Sequence, residues 1–247
     1  GAAGGTSASL SASVIAGSGA AMERDYDYAT ARFLADLPAP ATVGARAGER
    51  AVRRLGAAKM ATGRWPVVYD PRVSRGLLGH LVGAIVGPAI ARGTSFLKDR
   101  LNQRVFAPGV RIVDDPHRRR GLRSRPFDGE GVANGARDVV ADGVLATWLL
   151  DCRSARQLGL ATTGHAQRGT SGPPSPAATN LYLCPGTATP EAVMADIAEG
   201  LYVTELIGMG VNGVTGDYSR GAAGFRIEHG RLTTPVSEVT IAGNLND

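Results

Sequence analysis

Glycine occupies 34 of the 247 positions, roughly twice the usual ~7% share. A residue without a Cβ loses the most backbone freedom on folding. Such a density fits a chain that turns tightly and brings backbones close together, as strands do. It favours a strand-rich or mixed fold and disfavours a simple helical bundle.

Hydrophobic patterning predicts the elements. Residues 6–15 alternate small polar and apolar side chains, which predicts a strand, and residues 25–33 predict a second. Val43, Ala47, Ala51, Val52 and Leu55 then recur at helical spacing, with Arg46, Glu49, Arg50, Arg53 and Arg54 on an opposite face expected to be solvated. Residues 65–69 predict a strand, and Asp70-Pro71 opens a helix carrying the apolar run 76–90. That run is interrupted by His80 and Pro88 and falls short of the ~20 residues that cross a bilayer. It predicts a buried or interface helix.

Residues 110–113 predict a strand leading into an Arg- and Gly-rich loop over 114–135. Residues 143–150 predict a strand entered through an Asp142-Gly143 turn, and 167–176 an irregular loop. Thr189-Pro190-Glu191 predicts a helix start, with Val193, Ile197 and Leu201 on its buried face. Residues 225–233 predict a hairpin turning at His229-Gly230, and 236–241 a last strand. This order predicts an α+β fold of largely antiparallel sheets with a few packed helices.

Composition excludes several classes. At 43% hydrophobic and 20% charged residues the chain is not disordered. A net charge of +5 over this length argues against a nucleic-acid footprint, although Lys59 and Lys98 are the only lysines among 27 basic residues. Cys152 and Cys184 form no C-x-x-C, which excludes zinc-ribbon and thioredoxin-like sites, and two free thiols fit a reducing compartment. The first twenty residues lack a secretory signal and the chain opens without Met, so it reads as a fragment.

No pair among His80, His117, His165 and His229 has metallopeptidase spacing, and there is neither a G-x-S-x-G elbow nor a P-loop. Gly208-Met-Gly-Val-Asn-Gly213 spells a dinucleotide fingerprint, but it follows a predicted helix where that motif needs a strand. Arg118, Arg119, Arg120, Arg123 and Arg125 are flanked by Asp114, Asp115, Asp128 and Glu130, which predicts an internally paired loop. Residues 215–225 are the densest cluster. The small residues Gly221 to Gly224 would admit another backbone, and Asp217, Ser219 and Arg220 supply polar anchors; a tight turn with an internal Asp–Arg pair reads the same residues equally well.

The chain resembles the TldD/PmbA family, also called modulators of DNA gyrase, and within it the PmbA, or TldE, branch. The stretches that carry the resemblance include Met22-Glu-Arg-Asp-Tyr26, Gly79-His-Leu-Val-Gly-Ala84, Thr94-Ser-Phe-Leu97 and Pro126-Phe-Asp-Gly-Glu-Gly131. They continue through Thr163-Gly-His-Ala166, Gly200-Leu-Tyr-Val-Thr-Glu205, Thr215-Gly-Asp-Tyr-Ser-Arg-Gly-Ala-Ala-Gly224 and Pro235-Val-Ser-Glu-Val-Thr-Ile-Ala-Gly-Asn244. The resemblance implies that residues 1–40 continue from an amino-terminal portion not included here and that 41–247 form a carboxy-terminal TldE-like domain.

The TldD branch is a zinc metallopeptidase with an H-E-x-x-x-H helix. The corresponding stretch here is Arg75-Gly-Leu-Leu-Gly-His80. Only the second histidine is kept; Arg75 stands at the first ligand and Gly76 at the glutamate base, and neither cysteine matches the TldD ligand segment. The resemblance therefore implies a metal-free, non-catalytic subunit with no cofactor of its own. It would pair as a heterodimer with a zinc-bearing TldD-like protein in the cytoplasm and act on unfolded or precursor peptides. His80, Asp128, Glu130, His165, Asp217, Ser219 and Arg220 are the candidate peptide- or partner-facing residues, and an edge strand near Phe225 is expected to take peptide backbone. The alternatives are a stand-alone regulatory protein acting on a gyrase-linked or nucleic-acid target, and an autonomous hydrolase built around His80, His165 and Asp217.

Overall fold

The computed structural model describes residues 4–247. β1 (Ala8–Ala16) and β2 (Glu23–Ala31) form an antiparallel hairpin in unbroken register from Ala8 opposite Ala31 to Ala16 opposite Glu23. Glu23, Asp25 and Asp27 lie two residues apart and so share one face of β2; Asp25 and Asp27 are buried. α1 (Pro40–Arg53) packs on this hairpin through Val43, Ala47 and Ala51. The face expected to be solvated is so only in part: Arg46, Glu49 and Arg53 are exposed, but Arg50 is half-buried and Arg54 buried. Arg50 and Arg46 reach Asp27 at 2.7 and 2.8 Å, and the buried Arg54 lies 3.3 Å from Glu23. Val52 and Leu55, expected to be buried, are exposed.

β3 (Val67–Tyr69) leads to α2 (Pro71–Ile85), capped by the Asp70 carboxylate, which accepts from the Arg72 amide at 2.9 Å. The apolar run is not one helix. It breaks at Val86, which is extended and bridged to Leu149, and resumes as α3 (Gly87–Ala91). Pro88 has no N–H to offer the Ala84 carbonyl, which accepts from the Ser95 hydroxyl at 2.6 Å instead.

β4 (Ile112–Asp114), β5 (Arg137–Ala141) and β6 (Val144–Leu145) follow. The Asp142-Gly143 turn forms, with φ of 46° and 78°. The strand expected over 143–150 stops after two residues, because Trp148, Leu149 and Leu150 are all buried and the chain leaves the sheet to fill the core. α4 (Cys152–Leu158), not anticipated, is held by a reciprocal cap between Asp151 and Ser154. β7 (Ala166–Gln167) and β8 (Ser175–Pro176) pair across the loop expected to be irregular throughout. β9 (Leu181–Leu183) is followed by α5 (Pro190–Met194), which starts at Thr189 as expected but is one short turn. Val193 is exposed, and Leu201 belongs to β10 (Glu199–Val211). β11 (Asp217–Glu228) and β12 (Arg231–Asn244) complete the chain, turning at His229-Gly230 with φ of 49° and 76°.

The strands build two four-stranded sheets, ordered β12-β11-β10-β3 and β6-β5-β4-β9, in which only β10–β3 is parallel. This is an α+β fold with largely antiparallel sheets. α2 ties the two together: Val73 packs against Leu201 and Val203 of the first sheet, and Leu81, Ala84 and Ile85 join Ile112, Val140 and Leu149 in the second core. Gly221 to Gly224 lie within β11, so the close-approach reading holds and the tight turn does not. A Cβ at Gly224 would collide with the Tyr202 carbonyl oxygen of β10. β11 is an inner strand, so the expected edge near Phe225 is not one. Among the described residues no helix is long and apolar enough to cross a membrane.

Candidate functional site

Strand alternation puts Tyr218 and Arg220 on one face of β11 and Asp217 and Ser219 on the other. The first pair faces α2. There the Tyr218 and His80 rings meet edge to face, with centroids 6.0 Å apart. Arg72, Arg75, Gly76, Gly79, His80 and Gly83 recur at three- and four-residue steps, so they form one stripe along α2. Two hollows follow this stripe. One, of about 510 Å³, is lined by Tyr26, Arg72, Arg75, Gly76, Glu205 and Arg220. The other, of about 280 Å³, has His80, Phe96, Met209, Val211 and Leu245 in its wall, and Arg220 again. Arg220 therefore joins them into a single groove.

The acids at this groove are already engaged. Asp25 and Asp70 hold Arg72 at 2.7 and 3.1 Å, and Glu205 takes Arg54 at 2.6 Å and Arg24 at 3.7 Å. Burial opposes the Arg72 charge, but Asp25 and Asp70 outweigh it and raise its pKa. The Tyr202 hydroxyl donates to Asp70 at 3.0 Å, and burial together with that carboxylate pushes its pKa up to about 12. Arg75 donates to the Tyr28 hydroxyl at 2.5 Å and lies over its ring; Arg220 donates through Nε to the Ile207 carbonyl at 3.3 Å. Neither forms an ion pair among the described residues. Burial, and after it the Arg220 charge, lowers the pKa of His80.

These residues do not fit zinc, which needs three protein ligands and tolerates no cation among them. The groove offers one imidazole and one carboxylate, Glu205, already paired with arginine, beside three guanidiniums. Among the described residues no three His, Cys, Asp or Glu side chains gather to hold a metal ion.

The remaining candidates lie apart from the groove. Asp217 accepts from the Thr215 hydroxyl at 2.6 Å and the Asn244 amide at 3.0 Å, fastening the end of the β10–β11 hairpin, and Ser219 is exposed beside it. His165, Asp128 and Glu130 form a second cluster. The buried His165 places Nε2 3.1 Å from Asp114 and Nδ1 2.8 Å from the Thr163 hydroxyl, and Asp114 also accepts from the Thr179 amide and hydroxyl at 2.7 and 2.6 Å. Asp128 accepts from the Glu130, Val132 and Ala166 amides, and Glu130 from the Cys152 amide at 2.8 Å. A hydrogen bond from the Cys152 thiol to Glu130 raises the thiol pKa. Every one of these carboxylates closes a loop or a helix start, which is a structural task.

Four of the five arginines of residues 118–125 find partners, though not their flanking acids. Arg119 is exposed, and the half-buried Arg125 leaves Nε and one Nη buried without a partner among the described residues. Arg118 lies over Tyr182, Arg120 pairs with Asp36 at 2.7 Å, and Arg123 and Arg125 donate to the carbonyls of Ala178 and Ala166. Sequence reasoning missed Tyr26, Tyr28, Arg72, Phe96 and Met209 as groove residues. The signal for part of it was there: a stripe of arginine, glycine and histidine along an otherwise apolar helix.

Residues 62–247 match the family model described as the PmbA/TldA metallopeptidase C-terminal domain, and residues 4–55 match the central domain of the same family. Metalloprotease PmbA of Escherichia coli O157:H7 is 45% identical over 239 residues, covering 97% of this chain and 51% of that protein. A crystal structure from Thermotoga maritima, described as a candidate modulator of a DNA gyrase, superimposes with a TM-score of 0.88 at 32% identity, over 96% of this chain and 54% of that one. TldE from Thermococcus kodakarensis shares the fold, with a TM-score of 0.87 at 22% identity over 97% of this chain and 55% of that one. The chain spans about half the length of the curated relatives it matches.

Proposed function

We propose that this chain, which belongs to the PmbA/TldD metallopeptidase family, serves as the metal-free, TldE-like subunit of a peptidase pair whose TldD-like member holds the zinc. One observation carries the reading. The Arg75 guanidinium lines the groove bonded to Tyr28, and the resemblance sets Arg75 and Gly76 where the TldD branch has its first zinc ligand and general base. A cation in a ligand position repels Zn²⁺, and a glycine cannot deprotonate a metal-bound water. The chain's own contribution is then to bind and align extended peptide and to complete the chamber around its partner's metal. An open strand edge supports the substrate class, since β3 pairs with β10 only over Leu201 to Val203 and the rest of β10 runs beside the groove. The free thiols of Cys152 and Cys184 fit the cytoplasm.

The test is zinc content after dialysis against a weak chelator, followed by a peptidase assay on an unfolded peptide with and without a TldD-like protein. Zinc far below one per chain, with cleavage only in the mixture, is the expected result. Near-stoichiometric zinc, or cleavage by this chain alone, overturns the proposal.

A further inference from the structure

The two hollows along α2 differ in chemistry, and the difference has a direction. At the larger one every acid is engaged, so Arg75 and Arg220 are left as two guanidiniums without an anion. A guanidinium fork facing solvent in a concave site suits a planar carboxylate, which it binds through charge-assisted bonds. The smaller hollow is walled by Phe96, Met209, Val211 and Leu245, with glycines at positions 79 and 83 leaving it room. Beside both runs the part of β10 beyond Val203, whose edge away from β11 no strand among the described residues covers. Met209 there is 90% exposed.

We infer that this groove is a subsite for the carboxyl-terminal end of a peptide, the terminal carboxylate held by Arg75 and Arg220 and the last, apolar side chain seated in the smaller hollow. The inference rests on the peptide reading above and adds an end and a residue class to it. A phosphate would find the same two cations, but an apolar pocket and an unpaired strand edge next to them add nothing to its recognition. A peptide end uses all three features. The lowered pKa of His80, caused by burial and then by Arg220, agrees with a positive field that is not neutralised within the chain.

The experiment is fluorescence anisotropy on this chain with labelled unstructured octapeptides. They end in Leu with a free carboxylate, in Leu amide, in Leu amide with an internal Glu, and in Lys with a free carboxylate. The Leu acid is expected to bind about tenfold or more tighter than the Leu amide, the size of one charge-assisted bond. Arg75→Gln and Arg220→Gln should each erase that difference. Gly79→Leu, which meets no atom within 4 Å at its Cβ, should fill the smaller hollow and erase the preference for Leu over Lys. Equal binding of acid and amide by the unaltered chain overturns the subsite while leaving the peptide reading standing. So does an internal Glu that replaces the terminus without loss, or stronger competition by inorganic phosphate than by acetate. Binding of no peptide at all overturns both.

Discussion

Arg54, just past the end of α1, donates to Glu205 of β10 at 2.6 Å across 151 residues of sequence. Its guanidinium also lies 3.3 Å from Glu23 and 4.0 Å from Asp25, so one buried cation fastens the amino-terminal hairpin to the large sheet. Arg54→Ala strands these carboxylates together. Breaking a buried pair from one side costs about 3–5 kcal/mol, and partial exposure of Glu205 and Glu23 puts the expectation at the lower end. Urea unfolding should show a loss of about 3 kcal/mol; a loss under ~1 kcal/mol would match a surface pair and refute this role. Arg54→Lys should recover only part, because an ammonium cannot fork between two carboxylates.

Gly224 and Gly48 give opposite results on gaining a methyl group. A Cβ at Gly224 would meet the Tyr202 carbonyl of the neighbouring strand, whereas one at Gly48, inside α1, meets nothing within 4 Å. Gly224→Ala should push β10 and β11 apart and lower stability by about 1–3 kcal/mol. Gly48→Ala should raise it by about 0.5–1 kcal/mol through helix propensity and a less free unfolded chain. Thermal melts of the two variants against the parent chain check both signs.

Acid should weaken the amino-terminal layer first. Burial raises the Asp27 pKa, but the Arg50 hydrogen bond and charge, with help from Arg46 and the Tyr28 amide, outweigh it and hold the carboxyl below its ordinary 3.8. A depressed carboxylate contributes stability that is fully present above the unfolded value and lost as pH falls through the folded one. The parent chain should therefore lose stability below pH ~4. Asp27→Asn should be less stable at pH 7 and show a shallower fall over that window. Urea midpoints measured from pH 7 to pH 3 decide it; parallel curves would contradict the assignment.

What could be read from the sequence was local. The Asp70-Pro71 start of α2 and the turns at Asp142-Gly143 and His229-Gly230 depend on a few neighbouring residues, and all three form. Residues 143–150 misled because an unbroken apolar run is equally a strand and an irregular segment buried on every side; the Leu149 amide bonds to Ile85 at the break of α2 rather than to a sheet. α5 stops early because β10 is claimed by pairing with β11, a choice made far along the chain. The arginines of α1 looked solvated because an apolar stripe occupies the opposite face of the helix. Their partners were visible all the same, as Glu23, Asp25 and Asp27 at strand spacing against Arg46, Arg50 and Arg54 at helical spacing. His80 and Arg220 were both singled out as candidates, yet 140 positions separate them, and only the packing of β11 on α2 makes them one groove.

That packing predicts a titration. The His80 pKa lies below its ordinary 6.5, first through burial and second through the Arg220 charge. The imidazole is therefore neutral near pH 7. The stability linked to it is present above 6.5 and lost as pH falls through the lower folded value, because the unfolded chain takes up the proton first. Arg220→Gln removes the second cause and leaves the first. The His80 ring-proton resonance, followed by NMR from pH 8 to pH 4, should titrate at a higher pH in the variant than in the parent chain, yet still short of 6.5. The acid-side loss of stability should shrink with it. An unchanged midpoint would mean that the Arg220 charge does not reach His80, and would remove one support for a positively charged groove. A midpoint that rises the whole way to 6.5 would mean that burial contributes nothing to the shift.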